Sequence, residues 1–251
     1  MYNFFVDESA RTGDFFRISG KDHNHICNVL RMQPGDHFLV SCDGISNLCR
    51  LAQIEDDTVV AEIVEEDYRN TELSVRFYLF QGLPKGDKME LIIQKCVELG
   101  VAGIIPVEMH RCVMKLDDKK KKSRRERWQA IAESAAKQSK RNQVPEVFDV
   151  LTYKQAIAKA AEMDLFLVPY ENERGMIATR ETLDRIRPGM SVGILVGPEG
   201  GFEDKEVQLA RDANAAIISL GRRILRAETA AVMAVGMGML HVEMNLDCDA
   251  Q

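Results

Sequence analysis

The sequence predicts an α/β protein in two parts, a small β-barrel followed by a larger region in which strands and helices alternate. The first 70 residues hold several short apolar runs separated by turn dipeptides. From residue 73 the pattern changes to strand, helix, strand, helix, which is typical of a parallel sheet covered by helices. Two glycine-bearing turns, GPEGG at 197–201 and GRR at 221–223, each follow an apolar run.

The first part is predicted to span residues 1–70 and to be mostly strands. The predicted strands are Phe15–Ser19, 38–42, 46–54 and 58–64, with a short helix over 21–32. The dipeptides GD, DG and DD supply turn chemistry between them. The polar stretch 65–71 has no apolar period and is predicted to be a linker.

The second part is predicted to span residues 73–251. Its predicted strands are 74–81, 103–107, 164–168, Ser191–Val196 and 215–220. Its predicted helices are 88–99, 126–141, 153–163, 174–186, one beginning near 203, and 227–244. In an open α/β sheet, ligands bind past the carboxyl ends of the strands. We therefore expect a ligand site where three strands end, near residues 169, 197 and 221.

The two glycine turns match neither of two common phosphate-binding patterns. The first reads G-x-x-G-G rather than G-x-G-x-x-G, and no Lys-Ser or Lys-Thr follows the glycines. One such turn alone could be only a tight connection. Two turns about twenty residues apart favour a binding site, since the second is followed closely by Arg226, Glu228 and Thr229.

Composition excludes some classes of protein and argues against others. No run of eighteen apolar residues exists, so no membrane span is expected, and the N-terminal residues lack a signal-peptide pattern. The six cysteines form no C-x-x-C pair, which predicts reduced thiols in a cytoplasmic protein. His23 and His25 would diverge on a helix, so no metal is expected. The net charge of −6 is concentrated in the first 70 residues, and any RNA contact should use local basic patches.

The motifs of the second part resemble those of a known enzyme family. LVGPEGGF at 195–202 and LGRRILRAETAA at 220–231 are similar to cofactor motifs of the SPOUT-class RNA methyltransferases, and more narrowly of the RsmE family. The resemblance extends to KGDKME at 85–90, RC at 111–112 and AAKQSKRNQVP at 135–145. It also covers the H, VLR, GD and DG pattern between residues 25 and 44.

The resemblance implies a PUA-like N-terminal barrel, a C-terminal SPOUT domain tied in a deep trefoil knot, and S-adenosylmethionine as cofactor. The implied reaction is methylation of N3 of a uridine in 16S ribosomal RNA, within the 30S subunit or its late precursor, by a homodimer. The cofactor residues that the resemblance implies are Pro169, Leu195, Gly197, Pro198, Gly200, Gly201, Leu220, Gly221, Ile224, Leu225, Thr229 and Ala230.

Uracil N3 carries a proton that must leave, so the reaction needs a charge-stabilising group and a base. Arg226 is predicted to stabilise the negative charge that develops on the base, because it is permanently charged and lies beside the second cofactor turn. Glu228 or Glu199 is the candidate general base. The alternatives are that Glu228 only caps its helix and that Glu199 only binds loop amides.

Basic side chains at six positions are predicted to contact RNA phosphates. They are Arg31, Lys85, Arg111, Lys115, Arg141 and Arg222. Arg31 could instead be a solvated residue at a helix end, and the dense basic run from 115 to 127 could be a solvated, mobile face. Two other functions stay open, a SPOUT enzyme acting on another RNA, such as a tRNA or rRNA ribose 2′-oxygen, and a non-catalytic RNA-binding module.

Overall fold

The computed structural model describes residues 1–248, which form two compact units. The first unit contains Met1–Glu72 and Ala136–Val144. The second contains Leu73–Ala135 and, among the described residues, 145–248. The sequence had not indicated that a segment from the middle of the chain would join the N-terminal unit.

The first unit is a six-stranded sheet with short helical segments, among them a 3-10 helix at Glu8–Ala10. Its strands are β1 (Asn3–Val6), β2 (Arg11–Thr12), β3 (Phe15–Ser19), β4 (His37–Cys42), β5 (Ile45–Ile54) and β6 (Thr58–Glu65). Helix α1 (Gly20–Asn24) continues into a π-helical turn, His25–Val29. The strand order is β1-β4-β5-β6-β3-β2, so the described sheet is an open half-barrel where the sequence predicted a barrel.

The core of the first unit follows from alternation along its strands. On β3 the exposure alternates, so that Phe16 and Ile18 point into the core while their neighbours stay outside. Phe4, Phe38 and Ile26 complete a continuous apolar cluster with them. The inward residues of the strands and one helical residue therefore supply one core.

The second unit is a parallel sheet flanked by helices, as the alternating pattern predicted. Its strands are β7 (Arg76–Gly82), β8 (Gly103–Glu108), β9 (Glu146–Val147), β10 (Leu151–Thr152), β11 (Leu165–Pro169), β12 (Ser191–Val196) and β13 (Ala216–Ile218). Its helices are α2 (Lys88–Glu98), α3 (Asp118–Ser139), α4 (Tyr153–Ala161), α5 (Ile177–Leu183), α6 (Asp204–Asp212) and α7 (Ala227–Asn245). The order is β10-β8-β7-β12-β11-β13, and β9 pairs with β8.

Helices cover the strands of this sheet, which explains why the strands are continuous apolar runs. Five of the six residues of β12 are buried, as expected for a strand with both faces covered. Helix α7 packs closely on the sheet at Gly238, where a β-carbon would lie 2.7 Å from the ring of Phe77. A glycine is therefore needed there for the helix to approach the sheet.

Two predicted helices have different bounds in the structure. The helix expected over 126–141 begins at Asp118, because the Asp117 carboxylate accepts a hydrogen bond from the Lys120 amide at 2.8 Å and caps the first turn. The helix expected over 174–186 covers only Ile177–Leu183. Gly175 has a φ of +85°, which an α-helix does not use, so the helix cannot begin before it. The other predicted elements differ by only a few residues, and β1, β2, β9 and β10 were missed.

Candidate active site

Three loops at one edge of the sheet enclose a cavity of about 690 Å³. They follow β11, β12 and β13, which are parallel neighbours in the sheet. Because parallel neighbours end at the same edge, their following loops meet there. The predicted convergence near residues 169, 197 and 221 is therefore present. A cavity of this size is typical of small-molecule sites.

The cavity brings together most of the residues that the sequence predicted for the cofactor. Those that line it are Pro169, Gly197, Pro198, Gly201, Leu220, Gly221, Ile224, Leu225 and Ala230. Leu195, Gly200 and Thr229 are not among the lining residues, although each adjoins one in sequence. Ile224 is 88% exposed, so a bound molecule or partner has apolar surface to cover at this point.

The first glycine turn is shaped by close contacts that only glycine allows. A β-carbon on Gly82, at the end of β7, would lie 2.7 Å from the backbone nitrogen of Pro198. One on Gly200 would lie 2.8 Å from the β-carbon of Arg111, whose Nη1 donates a hydrogen bond to the Gly200 carbonyl at 3.0 Å. Gly201 has a φ of +68°. These contacts fix the turn at the edge of the cavity.

The second glycine turn is held by a residue that sequence reasoning missed. The hydroxyl of Thr179, a fully buried residue of α5, donates a hydrogen bond to the Ser219 carbonyl at 2.9 Å and accepts one from the Ser219 amide at 3.0 Å. The Ser219 hydroxyl accepts a hydrogen bond from the Gly221 amide at 3.2 Å. Gly221 has a φ of +108°, which favours glycine.

Lys88, the first residue of α2, lies between the two candidate bases. Its Nζ is 2.9 Å from Glu199 Oε1 and 3.3 Å from Glu228 Oε2. Its side chain also lines the cavity. At this position the sequence alone favours a solvated lysine over a phosphate contact, whereas in the structure Lys88 pairs with two carboxylates. The only available signal was its place at a strand-to-helix junction beside the cofactor motifs.

Glu199 is held more firmly than Glu228. Both of its carboxylate oxygens accept hydrogen bonds from the Lys85 amide, at 3.0 and 3.2 Å. Burial alone would raise the pKa of Glu199, but hydrogen bonds, first among them that from Lys88, outweigh it and lower the pKa below its usual value. Glu228 Oε2 is buried, and among the described residues the cation beside it is Lys88, with Nζ 3.3 Å away. Glu228 is not among the residues that line the cavity.

Arg226 precedes α7, and its side chain is exposed and lines the same cavity. No ion pair to Arg226 is present within 4 Å among residues 1–248. An exposed guanidinium beside a cavity is available to an anionic or partly negative ligand atom.

The six residues predicted to contact RNA differ in their exposure to solvent. Arg31, Lys85, Arg111, Lys115 and Arg222 are exposed. Arg141 is not, because it is 4% exposed and its guanidinium is paired with the Glu72 carboxylate. A buried, paired side chain cannot reach a phosphate, so the predicted RNA contact of Arg141 is contradicted.

Several basic residues of the run on α3 are paired with carboxylates. Lys121 Nζ lies 3.0 Å from Glu108, and Arg127 Nε lies 2.7 Å from Glu90. Arg125 donates a hydrogen bond to the Val147 carbonyl at 3.0 Å. These contacts hold the helix against its own unit, whereas the sequence left open a solvated, mobile face.

Within residues 1–248, one group of side chains has the spacing of a metal site, formed by Glu8, Cys42 and Asp43. Burial and a hydrogen bond to Glu8 raise the pKa of the Cys42 thiol to about 11. A protonated thiol is a poor metal ligand at neutral pH. His23 and His25 do not belong to this group.

Among the described helices, none combines the length and the apolar character that crossing a membrane requires.

Comparisons with known proteins show the family to which the chain is similar. A family model described as an RNA methyltransferase domain matches residues 71–239, and one described as an RNA methyltransferase PUA domain matches residues 18–64. The N-terminal unit is therefore PUA-like.

Individual relatives are similar over nearly the whole chain. The ribosomal RNA small subunit methyltransferase E of Bacillus subtilis (strain 168) is 40% identical over 242 residues, covering 94% of each chain. The protein of the same name from Mesomycoplasma hyopneumoniae (strain 232) is 33% identical over 92% of this chain and 96% of its own. A crystal structure of ribosomal RNA small subunit methyltransferase E from Neisseria gonorrhoeae bound to S-adenosyl methionine has a TM-score of 0.79 at 34% identity, covering 94% of this chain and 96% of that one.

Proposed function

Because this chain belongs to the ribosomal RNA small subunit methyltransferase E family, we propose that it methylates N3 of a uridine in 16S ribosomal RNA, with S-adenosylmethionine as cofactor. The single observation that carries the proposal is the cavity in which the loops after β11, β12 and β13 meet. The relative from Neisseria gonorrhoeae, similar over 94% of this chain, is bound to that cofactor.

The residues around the cavity fit such a cofactor. Glycine turns on two sides expose backbone donors and acceptors, which suit a neutral purine. Carboxylate and guanidinium groups also line the cavity, and these suit the amino and carboxylate groups of a methionine moiety. Pro169, Gly197, Gly201, Gly221 and Ala230 would hold it, together with the other predicted cofactor residues.

When bound, the cofactor supplies its sulfonium methyl group to the N3 lone pair and leaves as S-adenosylhomocysteine. The residues of the chain then have two tasks. Arg226 stabilises the negative charge that develops on the uracil oxygens as the N3 proton leaves. A carboxylate, Glu228 or Glu199, accepts that proton. Holding the reactants in line supplies the rest of the acceleration.

The RNA substrate is proposed to contact exposed basic residues of both units. In the N-terminal unit the proposed contact residue is Arg31. In the second unit the proposed contact residues are Lys85, Arg111, Lys115 and Arg222. Contacts of this kind bind phosphate without reading sequence, so we expect affinity to fall steeply with salt. The proposed partner is 16S RNA in the 30S subunit or its late precursor, in the cytoplasm, and no metal takes part.

We also propose a homodimer whose RNA site uses residues of both subunits. Helix α7 is apolar on two sides. One side packs against its own unit through Ala231 and Val235, and the other exposes Met233, Leu240 and Met244. These three exposed residues are spaced to lie on one stripe, and a partner helix would cover them.

The proposed domain division is an RNA-binding, PUA-like domain over residues 1–70 and a SPOUT domain over residues 73–251 with a deep trefoil knot. Strand β12 lies between β7 and β11, and β13 then crosses to the far side of β11. This crossing order supports a knot among the three cavity loops.

The test is transfer of a radiolabelled methyl group to 30S particles from a methylation-deficient strain. We expect the wild type to label 16S RNA and Arg226→Ala to lose at least about a hundredfold in rate, the usual contribution of a charge-stabilising donor. Cofactor affinity should stay within a few-fold by calorimetry. The control is Arg185→Ala, an exposed arginine outside the cavity lining, which should keep wild-type activity. Near-normal activity of Arg226→Ala would refute its assigned role.

A further inference from the structure

One ammonium group is shared by two carboxylates beside the cavity. Lys88 of α2 contacts Glu199, which follows β12, and Glu228, which lies in the first turn of α7. At neutral pH this cluster of Lys88, Glu199 and Glu228 carries two negative charges against one positive charge. It is therefore one proton short of neutrality.

The two carboxylates differ in how readily they can take that proton. Glu199 accepts hydrogen bonds from the Lys85 amide on both of its oxygens and lies nearer to the Lys88 ammonium than Glu228 does, and protonation would weaken these contacts. Glu228 has a buried oxygen without a hydrogen-bond donor among the described residues, and 15% of its side chain remains exposed. On protonation Glu228 therefore loses fewer bonds than Glu199 does.

We propose that Glu228, rather than Glu199, accepts the N3 proton, an inference that rests on the proposed function. Lys88 is then the positioning residue that keeps the Glu228 carboxylate unprotonated until the uridine binds. The proton leaves N3, binds a carboxylate oxygen of Glu228, and is later released to solvent. Nothing is oxidised or reduced, and the cluster becomes electrically neutral.

The role of Lys88 follows from the repulsion between its two partners. Glu199 and Glu228 both lie within 3.3 Å of the Lys88 ammonium, and without that cation their mutual repulsion favours protonation of one of them. The cluster would then already hold a proton before the substrate binds. Other charged groups around the same cavity modify the size of this effect. They are Glu171, Glu173, Arg174, Arg222, Arg223 and Arg226.

The experiment compares pH–rate profiles for methyl transfer to 30S particles. In the wild type we expect the acid-side fall in rate to lie at the lowest pH of the series, because the Lys88 ammonium opposes protonation of the cluster. In Lys88→Met the fall in rate on the acid side should move upward by about one pH unit or more, as expected when a paired cation is removed. Lys88→Arg keeps the charge and should retain a profile close to that of the wild type.

Two further variants identify the base. Glu228→Gln should lose about a hundredfold or more at every pH, the usual contribution of a general base. Glu199→Gln should lose less than about tenfold. The double variant Lys88→Met, Glu199→Gln removes the repulsion as well as the cation, so its profile should move back toward that of the wild type. A merely structural lysine would not produce this reversal.

The control is Lys95→Met on the same helix, since Lys95 pairs only with Glu98 on the surface and lies outside the cavity lining. Its profile should match the wild type. An unshifted profile for Lys88→Met, or a shift in Lys88→Arg equal to that of Lys88→Met, would overturn the role of Lys88. A larger loss in Glu199→Gln than in Glu228→Gln would overturn the choice of base. Absence of label with the wild type would instead refute the proposed function itself.

Discussion

Arg141 offers a direct test of how the first unit is stabilised. Its guanidinium is 4% exposed and pairs with Glu72, with Nε 3.0 Å from Oε1. The same Glu72 oxygen accepts a hydrogen bond from the Asn142 amide at 3.0 Å. Arg141→Met would leave a partly buried carboxylate without its cation.

Breaking a buried ion pair by removing one partner costs about 3 to 5 kcal/mol. The Glu72 side chain is 19% exposed, so water can compensate part of the loss, and we expect the lower end, about 3 kcal/mol. Urea-induced unfolding followed by circular dichroism measures the change. The control is Arg17→Met, since Arg17 and Glu55 form an exposed ion pair in the same unit, with 50% and 33% of their side chains accessible. That change should cost less than about 1 kcal/mol.

The result that would refute this reasoning is equal stability of Arg141→Met and Arg17→Met. A second readout separates the buried role from RNA binding. A phosphate contact made by Arg141 would reduce the slope of log affinity against log salt by about 1 when the residue is removed. We expect that slope to be unchanged in the folded fraction of Arg141→Met.

Two further predictions concern the cavity and the dimer. Gly82→Ala places a β-carbon 2.7 Å from Pro198, and such overpacking costs about 1 to 3 kcal/mol. The first turn should therefore shift, and cofactor affinity measured by calorimetry should fall about tenfold. Unchanged affinity would show that the turn does not need this contact. Leu240→Glu should give a monomer in sedimentation, whereas Leu209→Glu on α6, at a leucine of similar exposure (51% against 50%), should leave the dimer intact. Dimers in both variants would exclude this stripe as the interface.

The fold was predictable where long stretches of the chain are apolar. Strand β12 and helix α7 were found because a buried strand is a continuous apolar run and a long helix is apolar and rich in small residues. Strands β9 and β10 have two residues each, which is too short for any period to appear. The start of α3 was missed because ion pairs such as Lys121–Glu108, rather than an apolar stripe, hold its first turns.

The candidate site was predictable as far as it depends on local backbone. Positions that need positive φ, such as Gly201 and Gly221, can be recognised in the sequence because they are glycines. Long-range pairing of side chains cannot be recognised in this way. Lys88 lies more than a hundred positions from both of its partners, and nothing in a basic residue's neighbours distinguishes the buried Arg141 from the exposed Lys115.

The central claim is that the loops after β11, β12 and β13 hold S-adenosylmethionine for transfer to a uridine nitrogen. The most direct measurement is mass spectrometry of nucleosides from 16S RNA after incubation of methylation-deficient 30S particles with the protein and the methyl donor. We expect N3-methyluridine at a single position. A methyl group on a ribose 2′-oxygen, or no modified nucleoside at all, would contradict the account.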